Sequence, residues 1–243
     1  MDYGSRRGIP VCDVAGTAEP DIVGRSKRLW FLPGGQCLVQ IIPSLRSFTY
    51  QRDEIVERTG PLRLDFYERA AARVEAAGVP CAFRERVSAD SYLADYCPAP
   101  PFEVIVKNRA TGSTTRKYPG LFEDGALLPR PVVKFDYRTD PEDQPIGEDY
   151  LRVLGLPVEE MREGALAVNE VLRSWLRPLD VWDFCLIFGQ AESGELTVIS
   201  EISQDCIRLR HQDGSPLDKD LFRDGVEGDE IVNQWSRVLD VIK

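Results

Sequence analysis

The stretch from Val181 to Arg210, VWDFCLIFGQAESGELTVISEISQDCIRLR, limits the fold of this chain more than any other. WDFCLIFG is a short apolar run bounded by Asp180 and Gly189. AESGE supplies turn residues, and LTVISEI runs back, so the segment reads as two strands joined by a polar turn. Alternate residues of a strand share one face. A hairpin of this kind therefore holds side chains at fixed positions over a cleft.

The other elements are read around it. IVGRSKRLWFLPGGQCLVQII, from Ile22, predicts a strand, a Pro-Gly-Gly turn and a second strand. GRSKR at its start is neither a Walker loop nor a GxGxxG, and by itself it is a solvated strand edge. Leu62 to Ala77 predicts an amphipathic helix. Leu62, Phe66, Ala70 and Val74 form its apolar stripe, its arginines and acids form a wet face, and Gly78 and Pro80 end it. VPCAFRERVS is expected as a strand, Asp90 to Pro101 as a proline-rich connection, and PFEVIVKNRATGS as a strand entering a turn. YPGLFEDGALLPRPVVKFDYR and TDPEDQPIGED read as loop. Val158 to Leu176 predicts a helix with Met161, Ala165, Val168, Leu172 and Trp175 on one stripe, and Glu230 to Ile242 a docked terminal helix. Helices interspersed among strands without a βαβ rhythm favour an α+β fold over a doubly wound sheet.

Composition excludes several classes. A net charge of −10 without a Lys/Arg cluster argues against nucleic-acid binding. No apolar run is long enough to span a membrane, and MDYGSRRGIP lacks a signal-peptide core, so a cytoplasmic protein is expected. The six cysteines (Cys12, Cys37, Cys81, Cys97, Cys185, Cys206) form no CxxC pair and are read as reduced thiols. The one histidine, His211, sits beside the turn HQDGS, which leaves no basis for a histidine metal site.

Several separated motifs, in order, resemble those of the SAICAR synthetases, the ATP-dependent ligases of purine synthesis. GRSKRLW is similar to GKAKxVY, EVIVKNRATGS to EVVVRNxAAGS, DQPIGED to DPxINED, DFCLIFG and SEISQDCIRLR to DFKLEFG and DEISPDTCRLW, and LDKDLFRDG to LDKDRFRxD. The resemblance covers the chain from Gly24 onward. It implies a two-lobed α+β fold with the ligand cleft between lobes, divided as a tail (1–17), an N-terminal lobe (18–106) and a C-terminal lobe (107–243) that carries the hairpin. It also implies the family's chemistry: ATP activates a phosphoribosyl-imidazole carboxylate, and an amine displaces phosphate.

The departures concern charge. Where the family has metal-binding acids, this chain has Ile187 and Ser200. Cys185 replaces a lysine, and Ser44 and Thr49 stand where the family's acids are expected, with Phe48 and Tyr50 beside them. Magnesium needs hard oxygen ligands, and by residue counting the cleft moves about three units toward positive. These departures lead to the expectation of a diverged enzyme of specialised metabolism. It would act on an anionic, partly apolar substrate without Mg-ATP, with no cofactor and no metal, by cyclisation, isomerisation or addition–elimination. An ATP-dependent amide ligase, using ATP and Mg²⁺, and a non-catalytic ligand-binding protein are the alternatives. The resemblance assigns catalytic roles to Lys107, Arg208 and Asp205. The candidate substrate contacts are Arg25, Lys27 and Ser113 at positions matched by the resemblance, together with Arg109, Tyr50, Cys185 and Glu201. The expected partner is a small anionic substrate, and homo-oligomerisation is left open. Cys185 as a nucleophile is the sharper reading of that residue, and an inert core thiol the preferred one.

Overall fold

The computed structural model describes residues 14–16, 18–47, 50–191 and 193–242. Most of the expected tail, with Cys12, and Phe48 and Thr49 lie outside the described residues. The first sheet is antiparallel. Strands β1 (Ile22–Val23), β2 (Lys27–Phe31), β3 (Gln36–Ile41), β6 (Phe83–Arg86) and β7 (Ser91–Asp95) run in the order β1-β2-β3-β7-β6. Gly34 and Gly35 both have positive φ, 83° and 76°, which lets Pro33-Gly34-Gly35 reverse the chain between β2 and β3.

Helix α1 (Thr59–Ala76) packs on this sheet, burying Leu64, Tyr67, Ala70, Ala71 and Val74. Gly78 in the left-handed region ends it, with Gly78 N–H donating to Glu75 O and Val79 N–H to Val74 O. The wet-face reading of the helix arginines needs one correction: Arg63 is fully buried, because its face turns toward Glu201, 138 positions later. A second correction concerns Asp90 to Pro101, expected as a connection. Its first half is β7, whose Ser91, Tyr92, Leu93 and Ala94 are all buried between β3 and β6. Buried on both faces, it shows no alternation. A hairpin of β4 (Ser44–Ser47) and β5 (Arg52–Ile55), absent from the sequence reading, follows β3.

The second sheet has the order β10-β9-β8-β11-β14, built from β8 (Phe102–Arg109), β9 (Leu127–Tyr137), β10 (Gln144–Ile146), β11 (Asp180–Leu186) and β14 (Ile207–Arg210). Strand β8 runs unbroken through residues 106 and 107. Strand β9 corrects the loop reading of its segment. Pro129 and Pro131 obscure the pattern, but they fall where the β8–β9 register shifts between Lys107↔Val132 and Arg109↔Leu127, so they remove no ladder hydrogen bond. The opening hairpin is likewise split. Strand β11 joins the large sheet, whereas β12 (Phe188–Gln190) pairs with β13 (Leu196–Val198) as a separate ribbon, and SEI lies beyond the returning strand.

Between β8 and β9, helix α2 (Ser113–Lys117) forms a short turn; helix α3 (Glu148–Val153) follows β10. Helix α4 (Val158–Trp175) then covers the sheet with the expected stripe, Met161, Ala165, Val168 and Leu172 buried. After α5 (Asp220–Arg223), helix α6 (Gly228–Val241) docks Ile231, Trp235 and Val238 against α1 and the β4–β5 hairpin. One apolar cluster runs through both sheets, from Val39 and Ile41 through Leu64 to Val104 and Phe184. No helix among the described residues is long and apolar enough to cross a membrane.

The split at Ile187 brings the ribbon close to the first sheet. A Cβ on Gly189 would lie 2.7 Å from the Cys97 Cβ and 3.0 Å from the Ile199 Cγ2. Both atoms sit close to their own backbone and have little room to yield. Gly189→Ala is therefore expected to destabilise the fold by about 1–3 kcal/mol through overpacking. A lowered denaturant midpoint with unchanged slope would establish it.

Candidate active site

Three neighbouring strands set the first group of charges. Antiparallel register places Asp183 on β11 opposite Lys107 on β8 and opposite Arg208 on β14. Lys107 Nζ donates to Asp183 Oδ2 at 2.6 Å, and Arg208 Nη1 donates to the same oxygen at 2.7 Å. Arg208 Nε also donates to Asp220 Oδ2 at 2.9 Å. Burial raises the Asp183 pKa, but Arg208 and Lys107 outweigh it and hold the carboxyl below its usual range. For Lys107, burial prevails over the shared carboxylate, and its pKa is lowered. Lys107 Nζ further donates to Thr111 O at 3.1 Å, tying down the loop that enters α2. Gly112 in that loop has φ 59°, and a Cβ there would meet Arg208 Nη2 at 2.9 Å. Only glycine lets the backbone approach the guanidinium so closely.

The second group joins the lobes. Arg63 Nε and Nη2 grip the two oxygens of Glu201 at 2.7 and 2.9 Å, Ser203 Oγ donates to Glu201 Oε1 at 2.6 Å, and Lys27 Nζ stands 3.3 Å from Oε2. Arg63 also lies 3.6 Å from Asp205, which pairs with Lys219 at 2.8 Å. Burial raises the Asp205 pKa, but Lys219 and Arg63 prevail and lower it.

Two adjoining cavities open between these groups. The larger, about 850 Å³, is lined by Lys107, Ser113, Asp183, Cys185, Asp205 and Arg208 among others. The smaller, about 560 Å³, has apolar walls that include Leu29, Val39, Ala82, Ile187 and Ile199, with Lys27 at its edge. Arg25, Ser26, Thr139 and Asp143 line both, so the two spaces meet there.

The structure thus gathers Lys107, Arg208, Asp205, Ser113, Cys185 and Tyr50 in one cavity, Lys27 in the other and Arg25 at the junction. Tyr50 stands at the rim, 54% exposed. Glu201 and Arg109 do not line either space. Glu201 is spent on Arg63 and Lys27. Arg109 donates to Asp180 at 2.7 Å and to Gly125 O, with its guanidinium stacked on Trp182. Hydrogen bonding to the Cys206 thiol and then burial push the Cys185 pKa well above the usual thiol value, which leaves no thiolate at neutral pH. All five described cysteines are unbridged.

Sequence reading missed Asp183, Arg63, Asp220 and Lys219. For Asp183 a signal existed: it is a lone charge inside an apolar strand. Each cation of the two groups has an acid partner, although Lys107 and Arg208 share Asp183, and Arg63 and Lys27 share Glu201.

The smaller cavity combines apolar walls with two cations, Lys27 paired with Glu201 and Arg25 paired with Asp140. It does not supply a magnesium cage. Ile187 N–H donates to Ser200 Oγ at 2.9 Å, so the two positions face each other without a carboxylate. Among the described residues, no group of three or more His, Cys, Asp or Glu stands where it could hold a metal ion. An ion that arrives with a nucleotide would keep phosphate and water oxygens as ligands.

Known proteins similar to the chain share this architecture. The family model for SAICAR synthetase matches residues 22–241. The phosphoribosylaminoimidazole-succinocarboxamide synthase of Methanopyrus kandleri is 35% identical over 216 residues, 85% of this chain and 86% of that protein. The corresponding synthase of Methanothermobacter thermautotrophicus is 37% identical over 177 residues, 70% of each. A solved SAICAR synthetase (Type-2) in complex with ADP superposes with a TM-score of 0.83 at 24% identity, covering 90% of this chain and 96% of that one. These relatives overturn the expectation of an enzyme diverged from Mg-ATP chemistry, and with it the expectation that no cofactor is used. Absent acids at two positions are weaker evidence than named synthases matched over most of the chain. With the family model and these relatives spanning both lobes, the chain belongs to the SAICAR synthetase family.

Proposed function

We propose that the chain is a cytoplasmic, ATP-dependent amide ligase. It phosphorylates the carboxylate of a phosphoribosyl-azole, and an amine such as aspartate then displaces the phosphate. The observation that carries this reading is the meeting of the two cavities at Arg25 and Ser26. One is apolar and suited to a base, and the other is walled by Lys107, Asp183, Arg208 and Ser113 and suited to a phosphorylated sugar. ADP bound to a relative of the same fold supports the nucleotide half.

Each residue has a role within this reading. Arg208, gripped by Asp183 and Asp220, is a fixed fork for a phosphate monoester, and the close approach at Gly112 brings the neighbouring backbone and Ser113 to the same anion. Lys27, braced by Glu201, faces the nucleotide cavity with its ammonium. Holding both substrates across the junction places the carboxylate near the terminal phosphate of ATP. That positioning, together with fixed charge, is what phosphoryl transfer requires of a protein. When bound, magnesium would offset polyphosphate charge.

The test is ADP formation by the purified chain supplied with Mg-ATP, aminoimidazole ribotide carboxylate and aspartate. Turnover that needs all three, with amide product equal to ADP, is expected. Calorimetry showing no ATP binding in the presence of Mg²⁺ would overturn the reading.

A further inference from the structure

The larger cavity is acidic at the end away from Arg208. Glu103, Ile105 and Lys107 alternate along β8, and all three line the cavity. Four residues at roughly 3.3 Å each put Glu103 about 13 Å along the strand from Lys107. Directly across on β9 stands Asp136, 4% exposed, whose Oδ2 accepts from Lys134 Nζ while its buried Oδ1 has no hydrogen-bond partner. Asp143 lines the same end. Three carboxyls thus line this end of the cavity, where it meets the nucleotide side.

Resting on the ligase reading above, we infer that Glu103 is the general base that takes the proton from the attacking amine, with Asp136 and Asp143 as the groups that tune it. Amines reach the site as ammonium ions and cannot attack until a proton leaves. One ammonium proton passes to a Glu103 oxygen; the neutral amine nitrogen then forms its bond to the acyl carbon, the bond from that carbon to the phosphate oxygen breaks with its electron pair on phosphate, and the second proton leaves nitrogen for the departing phosphate. No electron acceptor is involved.

The surroundings suit that task. Burial first, then the charges of Asp143 and Asp136, push the Glu103 pKa up to about 7, against the opposing pull of Arg138 and Lys134. A base is most effective when its pKa lies near the working pH. The groups facing Glu103 are Asp136 and Lys134 on β9, Arg138 after it, Asp143 before β10 and Cys185 on β11, whose thiol is neutral. An ionised Glu103 is required, so amine-dependent kcat/KM rises with pH through about 7.

Two nucleophiles test the inference with the full chain, ATP and aminoimidazole ribotide carboxylate. Aspartate arrives protonated, whereas hydroxylamine is largely unprotonated at neutral pH and traps an acyl phosphate without a base. Glu103→Gln is expected to lower kcat with aspartate about a hundredfold, to leave hydroxamate formation unchanged, and to abolish the acid limb. Equal loss with both nucleophiles, or an acid limb that survives, overturns the base. Glu103→Asp, the second variant, is expected to keep hydroxamate formation and move the acid limb; an unmoved limb overturns the base as well. A wild-type chain that forms no ADP with either nucleophile removes the ligase reading itself, and this inference with it.

Discussion

Glu201→Gln is expected to destabilise the folded chain by about 3–5 kcal/mol, because removing one partner of a buried ion pair leaves the other uncompensated. Arg63 has no exposed surface and donates twice to Glu201; its remaining partners are the Ile42 carbonyl and Asp205 at 3.6 Å. Glutamine keeps the shape but offers one acceptor oxygen and no charge to Arg63, Lys27 and the Ser203 hydroxyl. Burial raises the Glu201 pKa, but Arg63 and Lys27 prevail and pull it down to about 2. A depressed acid pKa contributes stability that is whole above the unfolded value of about 4.3 and fades as pH falls through the folded one. The gap between wild type and variant should therefore be widest at neutral pH and close between about pH 4.3 and 2. Urea titrations at several pH values measure it. A gap below about 1 kcal/mol at pH 7 would mean that Arg63 is satisfied without Glu201.

The same residues show how far the sequence could be read. The stripe of α4, Met161 to Leu172, was legible because a helix that buries one face repeats its apolar residues every turn. Periodicity says where a face is, not what it meets. Arg63 looks like a solvent-facing charge until Glu201, 138 positions later, is folded against it. Strand β9 was illegible because Pro129 and Pro131 interrupt its pattern, although the irregular register tolerates both. Strand β7 was illegible because its whole run is buried.

In the site, matched motifs found Lys107, Arg208 and Lys27, yet the chemistry inferred from the replaced charges failed. Counting replaced residues treats a cleft as the sum of its substitutions. The folded cleft instead pairs each cation locally, Lys107 and Arg208 sharing a single Asp183 oxygen and Lys219 on Asp205. Ile187 and Ser200 bring no carboxylate, yet the smaller cavity keeps its apolar walls and Lys27. The chemistry read from missing acids was therefore the weaker argument, and the relatives decided against it.

Lys27→Met separates structure from catalysis at that lysine. Burial alone would lower its pKa, but Tyr92 and Glu201 outweigh it and raise it, so the ammonium is charged at neutral pH. A fixed cation in a cavity with apolar walls acts on phosphate oxygens without reorganising when charge shifts. Removing one such preorganised group costs about 10²–10³ in rate. Under the ligase reading, Lys27→Met is expected to lower kcat/KM for ATP by that factor and to leave the affinity for the azole carboxylate unchanged, since the larger cavity is lined by other cations. Stability should fall far less than in Glu201→Gln, because Glu201 keeps both hydrogen bonds to Arg63 once the longer 3.3 Å contact to Lys27 is lost. Steady-state kinetics with varied ATP, alongside a denaturant titration, read the two effects independently. An ATP kcat/KM within about threefold of wild type would show that the ammonium only braces Glu201 and does not act on phosphate. A large loss in a stable variant instead places the nucleotide phosphates against this wall, because no other lysine lines the smaller cavity among the described residues.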